Sequence, residues 1–253
     1  MEIIAFMNQK GGVGKTTAAV NIAAGLVQLG RRVLLVDLDP QAHATLSLGI
    51  SDELEKTAFE VLDYKTTAAD AIIKRPDGLA VIPSGLQLAG AELHFIGAPG
   101  REILLRGALE PITADFDYIL IDCPPYIGVL TMNALAAATG VYIPIKTEFL
   151  SMRGISQLTQ TIDLIRQRLN PRLIISGVFG TFYDNRRTLD REIMATIRRI
   201  FGAAVFNTLI RPGVTLAEAP GHGKTIFEHA PTSHGADDFT ALCQEIVNRE
   251  GGQ

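Results

Sequence analysis

The stretch that most limits what this chain can fold into lies near its start. Ile3-Ile4-Ala5-Phe6-Met7 runs into Asn8-Gln9-Lys10-Gly11-Gly12-Val13-Gly14-Lys15-Thr16-Thr17, and a helical segment from Thr16 to Leu29 follows at once. Gly11, Gly12 and Gly14 let the backbone curl so that successive N–H groups point at one centre, and the start of a helix adds the positive end of its dipole. Such a concavity suits a phosphate chain: Lys15 is placed to reach β and γ phosphates, and the Thr16 hydroxyl to hold Mg²⁺. A strand that feeds a helix through a glycine loop also commits the chain to a layered α/β structure.

The rest of the sequence agrees. Val33–Val36, Tyr118–Ile121, Val141–Ile143 and Leu173–Ile175 read as further strands. Leu130–Ala138, Ser151–Leu169, Leu189–Phe201 and Gly235–Arg249 read as helices. The strand runs are continuously apolar rather than alternating, as expected when helices cover both faces of a parallel sheet. No repeat, low-complexity tract or linker interrupts the 253 residues, so the expectation is one domain spanning 1–253: a doubly wound, mostly parallel sheet with helices on both faces and ligands at the carboxyl ends of its strands. A composition of 47% hydrophobic and 20% charged residues excludes a disordered chain. Two cysteines, Cys123 and Cys243, exclude a disulfide framework, and acidic Glu2 stands where a leader would be basic, so a cytoplasmic protein is expected. Cys123 to Ile145 is a run of 23 uncharged residues, long enough to cross a bilayer. Pro124-Pro125, Gly128, Asn133, Gly140 and Pro144 divide it into turn, helix, turn and strand, which predicts buried core instead.

Three carboxylates end strands. Asp37 and Asp39, in Asp37-Leu38-Asp39-Pro40-Gln41, fall on the same side of an extended chain; Asp122 opens Asp122-Cys123-Pro124-Pro125 after four apolar residues. The expectation is that Asp122 and Asp37 join Thr16 at Mg²⁺, Asp122 through a water, and that Asp39 orients the attacking water. Helix capping or turn formation is the alternative use of each aspartate. Cys123 reads as a small packed residue rather than a reactive thiol.

The loop has a peculiarity: Gln9 stands where the general phosphate loop has its first glycine, and Lys10 occupies the second position. An ammonium there is too much charge to be idle beside a triphosphate, although a solvated surface lysine is the plain alternative. Lys10-Gly11-Gly12-Val13-Gly14-Lys15-Thr16-Thr17 matches the deviant Walker A loop throughout. With Asp37–Gln41, Asp122–Pro125, Leu216-Ala217-Glu218-Ala219-Pro220 and Gly223-Lys224-Thr225-Ile226, the chain resembles the ParA/Soj chromosome- and plasmid-partitioning ATPases of the ParA/MinD superfamily over nearly its whole length. The resemblance implies a P-loop NTPase fold that binds ATP and Mg²⁺ on Lys10 through Thr17, with the segment around Arg211-Pro212 framing the adenine. It also implies an ATP-dependent homodimer in which Lys10 crosses to the partner's nucleotide, much as an arginine finger does in trans. Weak hydrolysis through Lys10, Lys15 and Asp39, a ParB-like activating protein and cargo positioning over the nucleoid follow from the same likeness. No helix-turn-helix extension stands before the loop in this sequence, so the resemblance leads one to expect the short form of the family.

DNA binding is not evident from the whole-chain charge of −4. The charge is unevenly divided, however. Residues 1–150 carry 11 basic and 17 acidic residues, whereas residues 151–253 carry 12 and 10. Within 186–224 lie Arg186, Arg187, Arg191, Arg198, Arg199, Arg211 and Lys224, against Asp190, Glu192 and Glu218. On a helical wheel Arg187, Arg191 and Arg198 share one narrow stripe, opposite Leu189, Ile193, Ile197 and Ile200. An arginine row outside and an aliphatic row inside suits contact with phosphates, so Arg186, Arg187, Arg191, Arg198, Arg211 and Lys224 are the candidate DNA-binding residues, nonspecific for duplex and dependent on ATP. An ordinary solvated helix face is the competing reading. Thr215 and Thr232 stand where relatives often carry basic residues, which thins the patch.

Other functions fit less well. A membrane-bound MinD-like protein needs a basic amphipathic terminal helix, whereas the last helix here holds Asp237, Asp238, Glu245 and Glu250 with Arg249 as its only base. Iron–sulfur relatives need paired cysteines. A small-molecule ligase or kinase on the same fold has no use for Lys10, and an orphan positioner of a protein cargo stays open.

Overall fold

The structure, a computed structural model, describes residues 1–51, 53–148 and 151–250. Its strands are β1 Glu2–Phe6, β2 Val33–Asp37, β3 Ile73–Lys74, β4 Ala80–Ile82, β5 Tyr118–Asp122, β6 Gly140–Lys146 and β7 Ile174–Thr181. They form one sheet in the order β3-β4-β2-β5-β1-β6-β7. Every pairing is parallel except that of β3 with β4. The first helices are α1 Lys15–Gln28, α2 His43–Ser47, α3 Ala58–Leu62, α4 Ala68–Ala71, α5 Ala91–His94 and α6 Leu104–Leu109. They are followed by α7 Val129–Ala137, α8 Ser151–Arg168, α9 Thr188–Phe201, α10 Val214–Glu218, α11 Ile226–His229 and α12 His234–Glu250.

The two-residue period of each strand divides the core. Ile3, Ala5 and Met7 face a layer built by α3 through α9, where Leu62, Leu105, Leu130, Leu158 and Ile197 are buried. Ile4 and Phe6 face the other layer, where α1, α11 and α12 bury Ile22, Leu26, Ile226, Phe239 and Leu242. The continuous hydrophobicity of the strands therefore has the predicted cause: each has helices on both sides. At the opposite end of the sheet from the loop, Arg32 donates from its backbone N–H and its guanidinium to Asp117 at 2.8 Å, clamping the starts of β2 and β5.

The strands β3 and β4 are absent from the sequence reading, and β7 extends well beyond Leu173–Ile175. Ala80-Val81-Ile82 is too short to form a pattern, and β3 is two residues long. The uncharged run from Cys123 folds as a loop, α7 and β6, as predicted, and no helix among the described residues is long and apolar enough to cross a membrane.

Candidate nucleotide site and basic surface

The glycine loop leaves β1 at the carboxyl edge of the sheet and enters α1 through Gly14, at φ 81°. Gly12 is also left-handed, at φ 71°, and the loop curls because these two positions lack a Cβ. The first turn of α1 carries no acidic residue and no side-chain cap, so its N–H groups and dipole keep their affinity for an anion. Asn8 braces the loop: its side-chain amide donates to Pro144 O at 2.8 Å, and its carbonyl accepts from Lys10 N–H at 3.0 Å. Thr181, at the end of β7, donates to Val13 O at 2.8 Å. Around the loop lies a cleft of about 370 Å³ lined by residues 10–17 with Asp39, Gln41, His43 and Pro125.

Sheet register brings the acidic residues to that cleft. Asp37 on β2 pairs with Asp122 on β5, and Phe6 on β1 lies beside Asp122 on its other side. Lys15 Nζ donates to Asp122 Oδ1 at 3.1 Å and sits 4.0 Å from Asp39 Oδ2; the Thr16 hydroxyl donates to Asp122 Oδ2 at 2.6 Å. Burial alone lowers the Lys15 pKa, but the charges on Asp122 and Asp39 outweigh it and hold the ammonium above its usual value. Lys15 therefore stands charged where a phosphate oxygen would replace a carboxylate as its partner.

Asp37, expected at the metal, has both oxygens engaged within the protein. Oδ1 accepts from Asp39 N–H at 3.0 Å, and Oδ2 accepts from the N–H and hydroxyl of Thr45, each at 2.8 Å. Burial and the neighbouring Asp122 push its carboxyl well above the usual range, against the pull of these hydrogen bonds. Thr16 and Asp122 are the pair that meets. A hydroxyl and a carboxylate are hard oxygen donors of the kind Mg²⁺ takes alongside phosphate and water. Among the described residues no cluster of three or more His, Cys, Asp or Glu could hold a metal without such help.

Lys10, expected to reach a partner, is held in its own chain. Its Nζ donates to Glu148 Oε2 at 2.7 Å, and Lys146 reaches Glu148 Oε1 at 2.5 Å. The two ammonium groups pull the Glu148 carboxyl down to about 2.

A second, apolar recess of about 150 Å³ adjoins Gly14 and Thr17 and is lined by Phe182, Ile210, Arg211, Gly213, Leu216 and Phe239 among others. Of the two residues expected to frame a base, Arg211 lines this recess, while Pro212 lines a neighbouring polar cleft with Asp184, Arg186 and His234. Phe182 escaped the sequence reading, since it belongs to no motif, whereas the helical spacing of Phe239 with Leu242, Cys243 and Ile246 marks it as the core residue it is.

The structure redraws the basic surface. Helix α9 begins at Thr188, so Arg187 is its cap, in extended backbone, and does not belong on the wheel with Arg191 and Arg198. The buried face holds Asp190, Ile193, Met194 and Ile197, whereas Leu189 and Ile200, expected inside, are 45% and 50% exposed. Asp184 forms a two-point bond with Arg186 and lies 3.9 Å from Arg187. Arg191 donates to Asn185 O and Thr188 Oγ1, and Arg211 is bonded to Asp238. Arg198 is exposed, with no ion pair or side-chain hydrogen bond among the described residues. Lys224 stands apart. It precedes α11 in the layer of α1, whereas α9 packs in the opposite layer. The six candidates therefore do not form one patch on a single protomer.

Strand, deviant glycine loop, helix and facing carboxylates on a parallel sheet define a P-loop nucleotide-binding protein of the deviant Walker A class. Its relatives point the same way. The family described as an AAA domain matches residues 1–175. The sporulation initiation inhibitor protein Soj of Bacillus subtilis is 44% identical over 249 residues, which are 97% of this chain and 98% of that protein. The chromosome-partitioning ATPase Soj of Thermus thermophilus is 44% identical over 246 residues, covering 97% of this chain and 95% of its own. A solved structure described as cobyrinic acid a,c-diamide synthase from Mycobacterium smegmatis, with bound ADP and magnesium, superposes with a TM-score of 0.88 at 35% identity, covering 100% of this chain and 97% of that one. The chain belongs to the ParA/Soj family of partitioning ATPases.

Proposed function

We propose that this chain works as one ATPase domain that dimerises on ATP, binds duplex DNA nonspecifically in that state, and hydrolyses ATP slowly until a ParB-like protein stimulates it, so positioning DNA or another cargo over the nucleoid. The observation that carries this reading is the convergence of Lys15, Thr16, Asp122 and Asp39 on the glycine loop, with a second lysine, Lys10, at its rim. The N–H groups of residues 11–17 would cradle the phosphates, and Thr16 and Asp122 would hold Mg²⁺. When bound, Mg²⁺ supplies charge neutralisation to the β and γ phosphates. Lys15 exchanges its carboxylate partners for phosphate oxygens. Asp39 Oδ2 faces the same space and orients a water for attack. Lys10 leaves Glu148 and completes the partner's site. Phe182, Ile210 and Leu216 enclose the base beside Arg211.

Basic residues on α9 of each protomer act together in the dimer, so retention of DNA should need ATP and fall with salt. The test is filter retention of duplex DNA at low salt with ATP, ADP or no nucleotide. ATP-dependent retention that disappears in Lys15→Ala, together with loss of ATP binding, is the expected result; absence of retention with ATP at low salt would sink the DNA-binding part.

A second reading, a metabolite-directed ligase or kinase, draws on the amide-synthase description of the 35%-identical structure. It requires ATP turnover that follows a small acceptor and ignores DNA. The presence of Lys10 at the loop favours the first reading.

A further inference from the structure

Asp39 does not hold its position by its own strand, because β2 ends at Asp37. Its peptide is gripped from both sides by buried polar groups. The Asp39 N–H donates to Asp37 Oδ1 at 3.0 Å, and the Asp39 carbonyl accepts from Ser84 Oγ at 2.6 Å. Thr45 joins the two grips. Its hydroxyl donates to Asp37 Oδ2 at 2.8 Å and accepts from Ser84 N–H at 2.9 Å, while its own N–H donates to Asp37 Oδ2 at 2.8 Å. Five hydrogen bonds thus close a ring through three segments: the end of β2, the middle of α2 and the residues that follow β4. Thr45, Ser84 and Asp37 are all 0% exposed, so water does not compete for these bonds. The Thr45 hydroxyl donates and accepts at once, which an aliphatic side chain of the same shape cannot do.

The Asp39 side chain is held separately from the ring. Oδ1 accepts from Gln41 N–H at 3.0 Å in a local turn, which leaves Oδ2 as the oxygen facing Lys15. The ring thus sets where the Asp39 backbone stands, and rotation of Oδ2 away from the phosphate cradle requires breaking the Gln41 bond. Neither Thr45 nor Ser84 lines the cleft, so any influence on chemistry passes through Asp39. We infer that Thr45 and Ser84 are positioning residues that aim Asp39 at the attacking water, Ser84 carrying that control from the segment that follows β4. The inference rests on the proposed water-orienting role of Asp39.

The experiment measures phosphate release by the full chain at saturating ATP with Mg²⁺ and duplex DNA, alongside the affinity for a fluorescent ATP analogue. Thr45→Val keeps the shape and removes the hydroxyl; Ser84→Ala removes only the bond to the Asp39 carbonyl. Each should lower kcat about tenfold, since a misplacement of about 1 Å costs up to about a hundredfold, with analogue affinity unchanged. Thr45→Ser should restore the rate. In an Asp39→Ala background, Thr45→Val should have no further effect. If Asp39→Ala hydrolyses like the parent protein, the water-orienting reading of Asp39 fails. If Asp39→Ala is impaired but the Ser84→Ala and Thr45→Val proteins are not, the positioning inference alone fails. It also fails if Thr45→Val slows the Asp39→Ala protein by the same factor as the parent. Should Thr45→Val not fold, Ser84→Ala decides.

Discussion

Asp184 lies just outside the basic run 186–224, yet it controls how much of that charge reaches solvent. It bonds Arg186 through both oxygens and draws Arg187 toward it. Its hydrogen bonds from the Arg186 side chain and backbone hold the carboxyl down to about 2, so it is ionised wherever the protein works. Replacing Asp184 by Asn removes one negative charge and releases two guanidinium groups. If Arg186 and Arg187 meet phosphates, the ATP-bound Asp184→Asn protein should bind duplex DNA more tightly, with a logarithmic salt dependence steeper by about one to two. Fluorescence anisotropy across a salt series measures both, and an unchanged slope would remove these two residues from the interface. The glycine loop and its facing carboxylate were legible in the sequence because phosphate chemistry demands fixed residue types at fixed spacing, and in the fold Lys15 and Thr16 both bond Asp122. Thr45 and Ser84 were not legible. Their bonds join positions 37, 39, 45 and 84, and hydroxyls at such separations leave no periodic signal.

Long elements were legible for a similar reason: five continuous apolar runs and five helical patterns all became elements. The short strand β4 was missed because three residues show no period, and Arg187 was misplaced because a wheel assumes helix where the chain is still extended. Contacts between elements are less legible still, as Gly25 in α1 shows. Helix propensity favours Ala over Gly there by about 1 kcal/mol. A Cβ at Gly25, however, would lie 2.6 Å from Cys243 Sγ on α12 and 3.2 Å from Phe227 Cζ on α11. Overpacking of this kind costs about 1–3 kcal/mol, so packing outweighs propensity. Gly25→Ala should lower stability by up to about 2 kcal/mol in urea unfolding. Adding Cys243→Ala should recover most of the loss, whereas additive losses would show that the Sγ contact is not the cause.

At the scale of the whole molecule, the average charge of −4 conceals a chain whose acidic first part carries the carboxylates of the nucleotide site and whose later part carries the arginines of α9. One protomer does not gather those positive groups, since the sheet separates Lys224 from α9. Association is therefore the step on which the proposed function turns, and Lys10 is the residue through which ATP would control it. In the single chain its ammonium is bonded to Glu148, which Lys146 also holds. Reaching a second protomer means giving up that partner. The pair is solvent-exposed, with side-chain exposures of 35% and 45%, so the hold is weak and falls with salt. Lys10→Ala should bind ATP almost as the parent does and remain monomeric with it. Glu148→Gln should bind ATP equally and dimerise at a lower protein concentration, because the competing partner is lost while Lys10 is kept. Light scattering on size-exclusion fractions, with ATP and without, separates the outcomes. A Lys10→Ala protein that dimerises like the parent contradicts the trans role. Should Glu148→Gln instead weaken dimerisation, Glu148 belongs to the dimer contact and its bond to Lys10 is no restraint on association.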